Sequence, residues 1–228
     1  MRAVRIHGYG GPEVLRLEAV PIPTPAPGQV LVRVMASSVN PLDWKLREGL
    51  LKDSASIGLP FTLGWDLSGI IEYGGPRAAR FNAGDSVMGR TSFPAGGTFA
   101  DYVVAAEQDL VAKPRCISHL EAAALPLAGL SAHAALLPQS ALQPGARVLI
   151  HGGAGGVGRL AVQLAKLHGA WVAATTSRQN MDFARSLGAD LVIERERANP
   201  TTRRASDALA LSQSGCTRGK IVLSVHQM

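Results

Sequence analysis

Cysteine is nearly missing from this sequence: Cys116 and Cys216 are the two it has, and neither belongs to a C-x-x-C pair. That scarcity excludes a disulfide framework and a zinc–thiolate site, and it points to a reducing compartment. Aromatic residues make up only 5% of the chain, too few for a nucleic-acid platform built on stacked rings. No uninterrupted apolar run approaches a membrane span, and the opening MRAVRIHGYG has no apolar signal core. Blocks of like charge are missing too. The formal net charge is +6 and the pI near 9.8, yet Arg203-Arg204 is the only local run. An anionic cofactor or a solubilising charge accounts for that balance, and nucleic acid is not the main partner expected. These absences together predict a soluble cytoplasmic protein without a membrane partner.

What is present is a chain that is 46% hydrophobic and 18% charged, with 25 glycines, a composition that folds around a core and suits a strand- and turn-rich α/β protein. Its first part alternates short apolar runs with turns: AVRI and VLRLEAV around HGYGGPE, then QVLVRVMASSV after a Pro-rich connector ending in Pro27-Gly28, then LGWDLSGIIEYGG, NAGDSVMG and GGTFADYVVA. Many short strands at close spacing predict a compact β-barrel-like domain ending near Lys113-Pro114. Ser118-His119-Leu120-Glu121 is a capping box that opens a helix, which Pro126 should break or kink. From Arg147 the rhythm becomes strand–helix–strand–helix–strand, with helices closing on Gly169 and Gly188, and crossovers of that length imply a parallel sheet. A polar linker, with room for one short helix, separates this part from a last strand, KIVLSV.

The turn after the first of those parallel strands is HGGAGGVGRL, residues 151–160. A strand running into a glycine-rich turn and then a helix presents unpaired backbone N–H groups at the positive end of the helix dipole, which is a phosphate site. Small residues admit the pyrophosphate, and Gly158 lets helix and strand pack together. Gly153, Ala154, Gly155, Gly156, Val157 and Gly158 are therefore the candidate cofactor-binding residues. A site for NADH usually has an acid about twenty positions beyond the glycines. Here that region reads Thr175-Thr176-Ser177-Arg178, without an acid. Hydroxyls and a guanidinium suit a 2′-phosphate, so Thr176, Ser177 and Arg178 point to NADPH in preference to NADH; the alternative for Arg178 is a solvated loop position.

These stretches, with EAAALPLAGLSA and SLGAD, resemble the zinc-independent medium-chain dehydrogenase/reductases, in particular the quinone oxidoreductase group related to zeta-crystallin. The resemblance covers most of residues 1–193. It implies a fold that is α/β and β: a GroES-like β-barrel-type catalytic domain over residues 1–117 and a parallel Rossmann-type sheet, here truncated, over 118–200. Residues 205–228 would be a C-terminal segment returning to the catalytic domain, and the second half of the Rossmann sheet, between those two ends, would be missing. The activity implied is NADPH-dependent hydride transfer, without zinc, to a quinone or an α,β-unsaturated carbonyl.

Zinc-dependent relatives have a Cys where this chain has Asn40 and a His within the motif that reads Gly64-Trp65-Asp66 here, so the resemblance implies no metal. In relatives without zinc the Asn-Pro-x-Asp loop lines the pocket beside the nicotinamide. That makes Asn40 and Asp43 substrate-pocket candidates, with Lys45 close by, whereas a simple loop turn is the other role open to Asn40. Ser131 aligns with a small hydroxyl residue near the cofactor, and helix packing is its alternative. No residue is identified as the proton donor.

A half sheet has a cost. In the doubly wound order the first strand is central, so without strands four to six the strand at Val148–Ile150 becomes an edge with unpaired backbone. Association into a homo-oligomer through that edge, replacement by local residues, and poor solubility are the three ways out, and the first is the expectation. Cofactor binding should suffer less than turnover, because the phosphate sites lie in the retained half. A non-catalytic NADPH-binding protein is thus the rival reading, with an RNA-binding protein and an incomplete gene product behind it.

Overall fold

The computed structural model describes residues 1–53, 57–137 and 142–195, together with the strand Val222–Leu223. The chain divides into two units, Met1–Leu127 and Ala128–Met228. The first therefore runs past residue 117 and keeps the capping-box helix.

In the first unit, β1 (Arg2–Ile6) pairs antiparallel with β2 (Leu15–Ala19) and with β4 (Phe61–Thr62). A five-stranded antiparallel sheet joins β3 (Gln29–Ala36), β5 (Asp66–Gly74), β6 (Ser86–Arg90), β7 (Tyr102–Ala106) and β8 (Leu110–Ala112) in the order β7-β3-β5-β6-β8. Alternate residues of these strands, among them Val30, Val32, Leu67, Val87 and Val103, fill one core. A second cluster gathers Ile6, Leu46, Leu63 and Trp65. The short-strand reading of this region holds, with one addition. Residues Pro41–Arg47 form a helix, α1, where the sequence reading has a loop.

Ser118 caps α2 (His119–Ala123) as expected: its hydroxyl accepts from Glu121 N at 3.2 Å, and the Glu121 carboxylate accepts from Ser118 N at 2.8 Å. Helix α3 (Pro126–Leu136) starts on the proline, so the expected break at Pro126 separates two helices instead of kinking one.

In the second unit, β9 (Arg147–Ile150), β10 (Trp171–Thr176) and β11 (Leu191–Glu194) lie parallel, connected by α4 (Gly156–Leu167) and α5 (Met181–Ser186). Ala161, Val162 and Ala165 lie on one face of α4, as the 3.6-residue period requires, and share a core with Val148, Ile150, Val172 and Ala174. Each fully buried valine or isoleucine there contributes roughly 1.5–3 kcal/mol. Gly169 and Gly188 close the two helices at φ +75° and +100°, a conformation that costs glycine nothing.

The sheet has a fourth strand. β12 (Val222–Leu223) pairs parallel with Leu149 and Ile150, giving the order β11-β10-β9-β12. The expectation of an unpaired β9 edge is thereby corrected. The buried N–H and C=O groups of a central strand require partners, and an apolar segment of the same chain supplies them. Val222 and Leu223 also join this sheet and not the sheets of the first unit, where the returning segment was expected. The short helix expected in the polar linker, like Arg203-Arg204 and Cys216, lies outside the described residues.

Candidate functional site

Two groups of side chains stand out, one in each unit. In the second unit β9 runs into residues 151–155 and then α4. Buried Thr175, on the neighbouring strand, pins this turn. Its carbonyl accepts from Gly153 N at 2.9 Å, its hydroxyl accepts from Gly152 N at 3.2 Å, and His151 Nδ1 lies 3.3 Å from the same hydroxyl. Burial holds the His151 imidazole below its ordinary pKa, in the neutral form.

Helix α4 begins at Gly156 behind Gly155, with no side-chain cap. Among the described residues no hydrogen bond takes the N–H groups of Gly156, Val157 or Gly158. A Cβ at Gly156 would meet nothing within 4 Å, so the space beside that residue is open. A Cβ at Gly153 would lie 2.7 Å from the Ala174 Cβ, and one at Gly158 would lie 2.1 Å from the Gly152 carbonyl oxygen. Two glycines thus serve close packing of turn, helix and sheet, and a third leaves room for a ligand. An unpaired set of N–H groups at the start of a helix of this length suits a pyrophosphate.

The parallel register pairs Ala174 with Ile150, which brings the end of β10 to the same sheet end as the glycine turn. Thr176 is buried, so its hydroxyl does not face solvent, whereas Ser177 is half-buried and Arg178 exposed. Ser177 Oγ accepts from Asn180 Nδ2 at 3.1 Å. Ser131 is exposed on α3, two residues from Gly129, whose Cβ position lies 3.9 Å from Leu160 of α4.

In the first unit the Asn-Pro-x-Asp segment is the start of α1. Asp43, at the third helical position, turns its carboxylate back onto Asn40 N at 2.6 Å and also accepts from Gly64 N at 3.1 Å. Asn40 Nδ2 donates to Asp66 Oδ2 at 2.8 Å. Asp66 further accepts from Ser38 Oγ at 2.5 Å and from Leu127 N at 2.7 Å. Both carboxylates are buried, Asp43 4% exposed and Asp66 1%. Burial pushes Asp43 up to about 6, against the pull of the two N–H bonds from Asn40 and Gly64, and the nearby Asp66 adds to the rise. Lys45 is outside this network, with its ammonium 5.6 Å from the Trp44 ring centre.

Asn40 and Asp43 are thus brought together, and Asp66 and Ser38 were missed by sequence reasoning. The available signal was a carboxylate placed inside the apolar strand run GWDLSG. Trp65 is fully buried beside Phe61 and Phe93, and neither an indole nor the Asn40 amide is a zinc ligand of the usual kind. Among the described residues no group of three or more His, Cys, Asp or Glu could hold a metal ion, and no helix is long and apolar enough to cross a membrane.

Residues 26–115 match the family model of the alcohol dehydrogenase GroES-like domain. The chain is 41% identical over 200 residues to the chloroplastic quinone-oxidoreductase QR1 of Triphysaria versicolor, covering 85% of this chain and 61% of that one. It is 37% identical over 180 residues to the human quinone oxidoreductase, covering 78% of this chain and 54% of the human one. Among solved structures, the quinone oxidoreductase from Coxiella burnetii superposes with a TM-score of 0.83 at 32% identity, over 99% of this chain and 83% of that one. The Escherichia coli quinone oxidoreductase complexed with NADPH superposes with a TM-score of 0.82 at 27% identity, over 96% and 64%. The chain therefore spans 54–61% of the length of these two sequence relatives.

Proposed function

We propose that this chain, which belongs to the zinc-independent quinone oxidoreductase group of the medium-chain dehydrogenase/reductases, binds NADPH and serves hydride transfer to a quinone or an α,β-unsaturated carbonyl. The observation that carries the reading is the open, unpaired N–H cluster at Gly156–Gly158, set beside a strand end that offers Arg178 and no acid. The backbone of Gly153, Ala154, Gly155, Gly156, Val157 and Gly158 would hold the pyrophosphate. Ser177 and Arg178 would hold the 2′-phosphate, with Thr176 contributing through its main chain, and Ser131 would lie near the cofactor. When bound, the nicotinamide supplies the hydride, and the protein supplies orientation and electrostatics.

Asn40, Asp43 and Lys45 are proposed to border the substrate. Asn40 would do so as a rigid wall, because its amide donor is already given to Asp66. The same commitment favours the second reading, an NADPH-binding protein without turnover. Self-association and a cytoplasmic location belong to the proposal as well; plant relatives carry chloroplastic names.

The deciding experiment is titration of the purified protein with NADPH and NADH by fluorescence, followed by turnover with a simple quinone. Binding with turnover supports the reductase. Binding without turnover supports the second reading, and no binding overturns both. Light scattering on the same sample reads the oligomeric state.

A further inference from the structure

Three carboxylates occur between residues 128 and 195, namely Asp182, Asp190 and Glu194, and the first two form ion pairs. Asp182 accepts from Arg185 at 2.6 Å, and Asp190 pairs with Lys166 at 2.8 Å. Arg178 and Arg195 are exposed, and neither has an ion pair or a side-chain hydrogen bond among the described residues. The topology brings these two uncompensated arginines to one place. Thr176 at the end of β10 is in register with Glu194 at the end of β11, and Arg195 N donates to the Thr176 carbonyl at 2.7 Å. Neighbouring strands lie about 4.8 Å apart, so Arg195 leaves the sheet beside Ser177 and Arg178. Side chains alternate between the two faces of a strand, so Arg195 projects to the face opposite Glu194, and two guanidiniums at neighbouring strand ends suit a doubly charged anion with three acceptor oxygens.

We propose that Arg195 is the second guanidinium of the 2′-phosphate site, so that Arg178 and Arg195 grip the phosphate from adjacent strand ends and together select 2′-phosphorylated adenine nucleotides. This rests on the NADPH reading above. It adds a residue that no spacing rule from the glycine turn reaches, since Arg195 belongs to the third strand.

The test is calorimetric titration of the full chain and of Arg195→Ala and Arg195→Lys with NADPH, NADH and 2′,5′-ADP. In Arg195→Ala the affinity for NADPH and for 2′,5′-ADP should fall about tenfold, the loss of one charge-assisted contact, while NADH affinity stays within about twofold. Arg195→Lys should recover part of the loss, because charge is kept and the fork is not. An unchanged NADPH preference in Arg195→Ala, or an equal loss for NADPH and NADH, overturns the assignment. If the unmodified chain itself binds NADPH no better than NADH, or binds neither, the NADPH reading fails first, and the two failures are told apart.

Discussion

The side-chain amide of Asn40 and the carboxylate of Asp66 meet at 2.8 Å, and through this contact the start of α1 is tied to the buried strand β5. Asp66 holds three donors at once, from Ser38, Asn40 and Leu127. Replacing it with alanine removes the shared buried acceptor and so breaks three hydrogen bonds at about 1 kcal/mol each. We expect Asp66→Ala to lower stability by about 3 kcal/mol, read from urea unfolding. Asp66→Asn keeps one acceptor oxygen, and its loss should be smaller.

Asp43 gives the fold a pH dependence of unusual sign. Its pKa stands at about 6 in the folded protein, above its ordinary value. A carboxyl group raised in this way adds stability that is complete below about pH 3.9 and lost as pH rises through 6. Two pH units correspond to about 3 kcal/mol as an upper figure. The difference in unfolding free energy between the chain and Asp43→Asn, measured at pH 4, 5 and 7, should move against the native chain as pH rises. A difference that is flat across that range would refute the account.

His119 works in the opposite direction. Its Nδ1 lies 2.7 Å from the hydroxyl of buried Ser68, which also donates to the Val87 carbonyl at 3.0 Å, so α2 is fastened to the five-stranded sheet. Burial, helped by the positive charge of Lys113, holds its pKa below the ordinary value. Stability from the neutral ring is therefore present above about pH 6.5 and lost as pH falls through the lower folded pKa. His119→Gln should flatten the fall in melting temperature between pH 7 and 5, while Ser68→Ala should lower it at every pH.

Much of this was legible in the chain because the signals are local. The Ser118–Glu121 box spans one helical turn, Pro126 breaks a helix by its own geometry, and the strand, glycine turn and helix follow one another as the sequence reads. Helix α1 escaped notice because seven residues show too little periodicity, although Asn40-Pro41 with Asp43 at the third position is an N-terminal signature. The role of Asp66 could not be read, since its partners lie 26, 28 and 61 residues away. The pairing of Val222 with Leu149 is equally remote from any local pattern. That pairing decides whether β9 is an edge.

The glycines of the turn allow a last prediction that separates packing from binding. Gly153→Ala places a methyl group 2.7 Å from Ala174, and Gly158→Ala places one 2.1 Å from a backbone oxygen, so turn or helix must move in both. Overpacking of this kind costs about 1–3 kcal/mol, and both variants should unfold at lower urea with cofactor affinity lost alongside. Gly156→Ala meets open space and sits at the first position of α4, where alanine is the better helix former, so its stability should be equal or slightly higher. Its methyl group would stand at the start of α4, where the pyrophosphate is proposed to rest. We expect NADPH affinity to fall about tenfold or more with the fold intact, measured by fluorescence titration beside a urea curve. Unchanged affinity in Gly156→Ala would mean that the phosphate does not rest on this turn.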